Sequence, residues 1–373
     1  MKKILITCLF ILVCMTVSAF LLWNRKSEKP RQITKQPSNH LSISYKPYKA
    51  EATLSAAGDF LLHSQVYTDA LTGKNKYNFN SMLEEIRPFF KNTDLAYINQ
   101  ESILGGASLG LSSYPSFNSP YEAGDALINA GIDIVNMANN HALDKGPAGI
   151  YNAIAYYEKK GLPYIGAYKN SRDSLTPRVI NKNGIKFGFA GYTYGTNGIP
   201  VPSGKRFLVN LIDVEKMKRE TKEIKSLSDF AIISVHWGVE YQRFPNEEQK
   251  RIAAILADAG ADVVIGHHPH VLQPMEWIEN ENGHRTLVVY SLGNFLSGQQ
   301  GEYKDIGGIV QIPFTKESTG TSVKIFVGDP EFIPTIVTSK NKKQYRVKVL
   351  KRVNPKLNRS IENHVLTPLK TNK

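Results

Sequence analysis

The sequence predicts an α/β fold, on three observations. From Ala52 onward, short apolar runs alternate with stretches of helical periodicity. Nearly every apolar run closes on a polar residue able to bind a ligand. The first 50 residues lack the alternation and read as an apolar stretch followed by a polar one.

The candidate strands are 52–58, 95–99, 132–138, 186–192, 230–236, 261–266 and 286–293. Helices are expected at 81–92, 122–131, 148–161, 214–227 and 246–260. Asn80 is placed to cap the first helix, which Pro88 would kink. Gly131 suits the end of the second. Beyond residue 306 the pattern becomes β-rich (IGGIVQIPF, TSVKIFVG, QYRVKVL). The domain plan is therefore a core at 51–312 and a β-rich, basic C-terminal extension at 313–373. The Lys/Arg-dense strip at 340–352 is either a solvated edge that discourages strand pairing or a surface for polymer or lipid.

Residues 4–23 carry no charge and follow Lys2 and Lys3. About twenty apolar residues at ~1.5 Å rise span a hydrocarbon core of ~30 Å. Residues 1–23 are thus expected to be a single transmembrane signal-anchor, with the N-terminus in the cytoplasm. A signal peptide cleaved after Val17-Ser18-Ala19 is the competing reading, but the apolar run continues through Phe20-Leu21-Leu22-Trp23. Either way the remainder is exported, giving a cell-membrane protein with an extracytoplasmic C-terminal domain. Residues 24–50, rich in Lys, Arg, Ser and Pro, read as a linker. Both cysteines, Cys8 and Cys14, lie in the apolar segment, so the exported part has no disulfide and no thiolate metal site. Val13 is too bulky for the usual residue before a lipidated Cys14.

Lys and Arg number 46 against 33 Asp and Glu, a formal charge of +13 with a pI near 9.4. That excess is either a solvated surface or an attraction to polyanions. No zinc finger, RNA-recognition aromatic motif or Arg-rich helix is present, so no nucleic-acid partner is expected.

The strand ends carry the chemistry. They read Gly58-Asp59 with His63, Asn99-Gln100-Glu101, Asn139-Asn140-His141 with Asp144, His236-Trp237, His267-His268-Pro269-His270, and Gly293-Asn294. Side chains at the carboxyl ends of strands in one α/β sheet converge on one cleft. Carboxylates and imidazoles without thiolate suit Mn, Fe or Zn, as one or two divalent ions. In an extended segment His268 and His270 point the same way, with Pro269 stiffening the chain between them. Singly, each residue has a plain alternative. Asp59 is also a turn residue, Asn140 and His141 also loop braces, and His236 also a core histidine. His63 faces away if it lies on a following helix. The recurrence at strand ends is what points to a site. His40, His284 and His364 lie in linker or turn contexts and receive no role.

As a set and in order, GDFLLHS, NQES, NMANNHALDKG, SVHWGVEY, IGHHPHVLQPMEW and YSLGNF resemble the poly-γ-glutamate capsule-synthesis proteins of the CapA type, over about residues 52–312. That family is similar to the calcineurin-like metallophosphatases. The resemblance implies a metallophosphatase-like four-layer α/β/β/α sandwich behind the anchor. It implies Asp59, Glu101, Asn140, His236, His268 and His270 as metal ligands, with His267 as the alternative to His268. It implies His141 as general acid, assisted by His63. Asn139, His267, Trp237 and Asn294 are expected at the substrate. Two departures stand out. The phosphatases open with Asp-x-His, whereas Leu61 follows Asp59 at that spacing, and Glu101 stands where they carry an Asp. The function implied is synthesis or export of an anionic polymer, poly-γ-glutamate, beside a membrane synthase. The site would then be a metallohydrolase-like centre. A non-catalytic polyanion-binding scaffold and a metal-dependent phosphodiesterase are the alternatives.

Overall fold

Alternating burial along each strand decides how the layers stack. The structure, a computed structural model, describes residues 47–371, with side chains through Leu369. The expected span at 4–23 and the linker up to residue 46 lie outside the described residues. Among the described residues no helix is long and apolar enough to cross a membrane.

In chain order the strands are β1 (Tyr48–Leu61), a small hairpin of β2 (Leu71–Gly73) and β3 (Lys76–Tyr77), then β4 (Leu95–Asn99), β5 (Ile134–Asn136) and β6 (Tyr164–Ile165). Next come β7 (Arg178–Lys182), β8 (Ile185–Thr193), β9 (Phe230–His236), β10 (Val263–His267), β11 (Met275–Glu279) and β12 (Arg285–Val289). The last are β13 (Asn294–Ser297), β14 (Ile306–Ser318), β15 (Val323–Val327), β16 (Glu331–Lys340) and β17 (Lys343–Val349). One sheet runs β17-β16-β14-β1-β4-β5-β6, with β13 and β15 attached to β1 and β14. The other runs β11-β12-β10-β9-β8-β7. The strands whose ends carry the candidate residues are divided between the two sheets: β1, β4 and β5 lie in the first, β9, β10 and β12 in the second. Sequence periodicity shows which face of a strand is apolar, but not which sheet it joins.

The two sheets pack on each other through Leu54, Ala56, Tyr97 and Ile134 on one side and Phe187, Phe230, Ile232, Val263 and Ile265 on the other. Helices Tyr121–Ala130 and Gly146–Lys160 cover the outer face of the first sheet with Ala126, Leu127, Ile150 and Ile154. Helices Val214–Leu227 and Glu247–Asp258 cover the outer face of the second with Met217, Ile224, Ile252 and Leu256. These four helices fall where the sequence places them. Gly131 and Gly161 close the first two in the left-handed region. Asn246 and Gln249 form a reciprocal capping box at the fourth.

The helix expected at 81–92 is instead a 3₁₀ turn, Asn80–Met82, and a short helix, Arg87–Lys91. Pro88 lies in the first turn of that helix, where its missing N–H costs nothing, so it starts a helix rather than kinking one. The extension expected from residue 313 is not separate. Its boundary falls inside β14, which pairs with β1 from Tyr48↔Ser318 to Ala57↔Ile309. Residues 48–50, assigned to the linker, are already strand. Nor is the extension β-rich to its end, since residues 355–371 are helical. Ile361, Val365 and Leu369 of that helix join the core between the sheets.

One backbone irregularity aims the first candidate ligand. Leu54 and Ala56 face between the sheets, so simple alternation would turn Asp59 outward with Ala57. The register shifts between Ala57↔Ile98 and Asp59↔Asn99, making Gly58 the extra residue of a bulge and turning Asp59 inward. A Cβ on Gly58 would lie 1.9 Å from the Gly293 carbonyl oxygen. Gly58→Ala is expected to destabilise the fold by on the order of 3 kcal/mol in denaturant unfolding. Gly73→Ala, with nothing within 4 Å of its Cβ, should stay within about 0.5 kcal/mol of the parent.

Candidate metal centre

Parallel strands in register end at the same level, so their last residues form rows. In the first sheet Asp59, Asn99 and Asn136 are cross-strand neighbours. Asn136 Nδ2 donates to Asn99 Oδ1 (3.0 Å), and Asn99 Nδ2 donates to Asp59 Oδ1 (2.9 Å). In the second sheet Thr193, His236 and His267 form the matching row. The rows face each other across the shared rim: His267 Nδ1 is 3.2 Å from Asp59 Oδ1. One layer deeper, Tyr97 Oη donates to Ser234 Oγ (2.6 Å) and lies 2.9 Å from His267 Nε2. Beneath that the space between the sheets is apolar.

Asp59, Glu101, Asn140, His236, His268 and His270 all meet here, and all are at least nine-tenths buried. Glu101 Oε1 lies 3.5 Å from His236 Nε2 and 3.7 Å from His270 Nε2. His270 Nδ1 lies 3.2 Å from Asp59 Oδ2. Asn140 Oδ1 lies 3.0 Å from His236 Nε2. Three sets of ligand atoms lie within 4.8 Å of one another: Asp59, Glu101 and His270; Glu101, His236 and His268; and Glu240, His268 and His270. Glu101 belongs to two of them.

The residues fit a divalent cation. Both carboxylate oxygens of Glu101 and Nδ1 of His268 are buried without any hydrogen-bond partner. Buried polar atoms are otherwise almost always satisfied. Unpartnered lone pairs on Glu101 and His268, brought together from two distant chain segments, are what a cation would satisfy.

His268 and His270 converge, but not by strand alternation. β10 ends at His267, and both residues have positive φ, 98° and 58°. Such conformations are uncommon outside glycine and cluster at ligand clamps. His267, the alternative ligand, uses one nitrogen on Asp59 and the other on Tyr97, and is fully buried. It orients Asp59 and cannot reach a substrate.

Three other residues expected at the substrate are also engaged elsewhere. Trp237 alternates with His236, so it faces the outer helices and donates Nε1 to the Tyr290 carbonyl. Asn139 accepts from the His141 N–H and donates to the Gln100 carbonyl. Asn294 Nδ2 holds Gln299 Oε1 and the Lys304 carbonyl.

His141 lies beside the cluster with Nδ1 2.7 Å from Asp144 Oδ2, and Asp144 Oδ2 also accepts from the Phe117 N–H. Phe117 stands edge-on to His141 and to His63, at 4.6 and 5.1 Å between ring centres. His63 is half-buried and accepts from the Gly298 N–H. Burial takes it down to about 4, so it is neutral at pH 7. The sequence marks Asn99 at a strand end without a role and passes over Asn136, whose place at an in-register strand end was the available signal. It also left Asp144 without a role, though it lies three residues after His141.

Charge is distributed unevenly. Burial, then repulsion from Asp59, push Glu101 well above the usual carboxylate range. Burial raises Asp59 too, but hydrogen bonds from His267 and His270 outweigh it and hold Asp59 well below that range. Burial takes His236 well below the imidazole range and His268 down to about 3. Burial also pulls on His270, yet Glu101 and Asp59 win and push it up to about 9. Without a cation, Glu101 is thus a buried acid whose oxygens make no hydrogen bond. Glu101→Met is expected to stabilise the metal-free protein by roughly 1–3 kcal/mol in thermal unfolding with chelator present, while abolishing metal retention.

Residues 53–299 match the family described as Bacterial capsule synthesis protein PGA_cap. The PGA biosynthesis protein CapA of Bacillus subtilis (strain 168) is 32% identical over 209 residues, 53% of this chain and 51% of that protein. The capsule biosynthesis protein CapA of Bacillus anthracis is 26% identical over 301 residues, 77% of this chain and 70% of that protein. The match to the first thus spans about half that relative's length. Among solved structures, the NAD nucleotidase of Haemophilus influenzae superposes with a TM-score of 0.47 at 14% identity, covering 80% of this chain and 60% of that one. A 5'-nucleotidase precursor from Thermus thermophilus gives 0.45 at 13%, covering 80% and 54%. The family match takes in all six buried candidate ligands, and the chain belongs to the bacterial capsule synthesis protein PGA_cap family.

Proposed function

We propose that this protein is a membrane-anchored, extracytoplasmic hydrolase of poly-γ-glutamate synthesis or export, and that its metallophosphatase-like site cleaves amide bonds of the polymer. The observation that carries the reading is Glu101, fully buried, with both oxygens unpartnered and three imidazoles around it. The uncharged run at 4–23 and the excess of basic residues support the anchor and the anionic polymer. A membrane synthase is the partner this placement calls for.

Asp59, Glu101 and His270 would hold one divalent ion. Glu101, Asn140, His236 and His268 would hold a second, with Glu101 shared. Nitrogen and oxygen donors without sulfur suit Mn, Fe or Zn. Bound there, the cation supplies polarisation of the attacked bond and nucleophilic water at neutral pH. The chain supplies the rest. Asp144 fixes His141 through Nδ1 and leaves Nε2 to carry a proton to the departing amine. His267, backed by Tyr97 and Ser234, and Asn99, backed by Asn136, keep Asp59 aimed inward. His63, neutral and packed on the same Phe117 ring as His141, would assist it.

The test uses the full chain purified in detergent. Elemental analysis should find one or two equivalents of a transition metal, and chelation should stop turnover of poly-γ-glutamate. His268→Ala should lose both metal and turnover. His141→Ala should keep its metal and lose about 10²–10⁴-fold in kcat. Turnover of bis(p-nitrophenyl) phosphate alone would replace the amide with a phosphodiester. Normal polymer export by cells carrying His268→Ala/His270→Ala would show a scaffold instead.

A further inference from the structure

The phosphatase pattern places an imidazole two residues after its opening aspartate, and this chain has Leu61 there. Leu61 is buried, pairs with Ser297 in β13 and offers no ligand atom. The fold must supply a donor from elsewhere or leave that side of the centre open. Resting on the reading of the buried cluster as a metal site, we infer that Glu240 is a further metal ligand, closing the solvent side of the centre with His268 and His270.

A carboxylate oxygen of Glu240 lies within 4.8 Å of ligand atoms on both histidines. Glu240 is the exposed member of the three ligand sets, so it approaches from the mouth while the others come from within. No Lys or Arg pairs with it among the described residues, although its chain carries an excess of cations. His268 Nδ1, buried and without a partner, is the second observation that points to a cation at this place.

The loop carrying Glu240 is built, not incidental. It leaves β9 at Gly238, whose φ of 85° is in the left-handed region, as is that of Tyr241 at 67°. The Tyr241 N–H donates to the Pro269 carbonyl (2.7 Å), tying this loop to the His268-Pro269-His270 turn. Buried Gln273 donates to the carbonyls of Gln242 (2.9 Å) and Phe244 (3.1 Å), and buried Gln249 donates to Gln273 (2.8 Å). Two side chains with no room for solvent therefore hold the loop against the centre. The Tyr194 ring lies 4.7 Å from that of His268, and the Tyr241 ring 6.2 Å from that of His270. Both tyrosines lie close enough to Glu240 to feel its charge, and the Tyr241 hydroxyl also hydrogen-bonds its carboxylate.

A donor at the mouth has a different consequence from one in the interior. Its loss leaves the packing untouched, because the side chain is exposed. It also leaves Glu101 and the buried imidazoles in place, so part of the metal binding survives.

The test is calorimetric titration of Mn²⁺ into the chelator-stripped full-length protein in detergent, with elemental analysis of the loaded form. Glu240→Gln is expected to weaken one Mn²⁺ equivalent by about 10–100-fold or remove it, with the melting temperature of the metal-free protein unchanged. Glu240→His, which returns an imidazole, should recover part of the affinity. Glu247→Gln, at an exposed carboxylate that opens the helix after this loop, should bind as the parent does. Equal stoichiometry and affinity in parent and Glu240→Gln would overturn the inference while leaving the buried centre standing. A parent protein that binds no metal would overturn both.

Discussion

Two rows of polar side chains, one at the carboxyl end of each sheet, are pressed together by the apolar packing that joins the sheets. That constraint governs the rest of the structure. The core fixes the separation of the sheets, and register within each sheet fixes the height of its row. Asp59 and Asn99 then meet His267 and His236 without water between them. Nothing in the rows would hold the sheets together alone; buried polar pairs gain little over well-packed apolar ones. The apolar layer holds the rim closed, and the rim gathers ligand atoms at a density a surface could not keep.

This arrangement works against the metal-free fold at several points. Glu101 is desolvated without a partner, His268 and His270 occupy a backbone region that L-residues avoid, and Gly58 interrupts a ladder. Each feature is unfavourable in isolation and each faces the same small volume. Local strain and unsatisfied groups that converge in this way mark where a protein trades stability for function. The hydrogen bonds behind the rim, from Asn136 to Asn99 and from Tyr97 to Ser234, show the opposite character and are fully satisfied.

Much of this was legible in the sequence, because local pattern carries it. Apolar runs at 95–99 and 230–236 are strands to the residue, and the glycines and asparagine at the ends of three outer helices mark true caps. Polar residues at strand ends mark where a site lies, and the family resemblance picks out the six ligand candidates among them. What was not legible depends on register and partner choice. No local signal says that β1 and β9 belong to different sheets, or that Gly58 is a bulge that reverses Asp59. The His268-Pro269-His270 turn reads as extended because positive φ has no signature outside Gly and Asn. Trp237 could have been placed correctly, since alternation with His236 sends it outward. Glu240 could not, because a loop carries no periodicity.

A cation held between the two rims is what the buried ligand atoms call for. The direct measurement is anomalous diffraction at the metal edge from crystals of the protein grown with Mn²⁺. A peak enclosed by Asp59, Glu101, His236, His268 and His270 is the predicted result. A map with no peak there, in which Glu101 instead finds its partners among protein atoms, would contradict it.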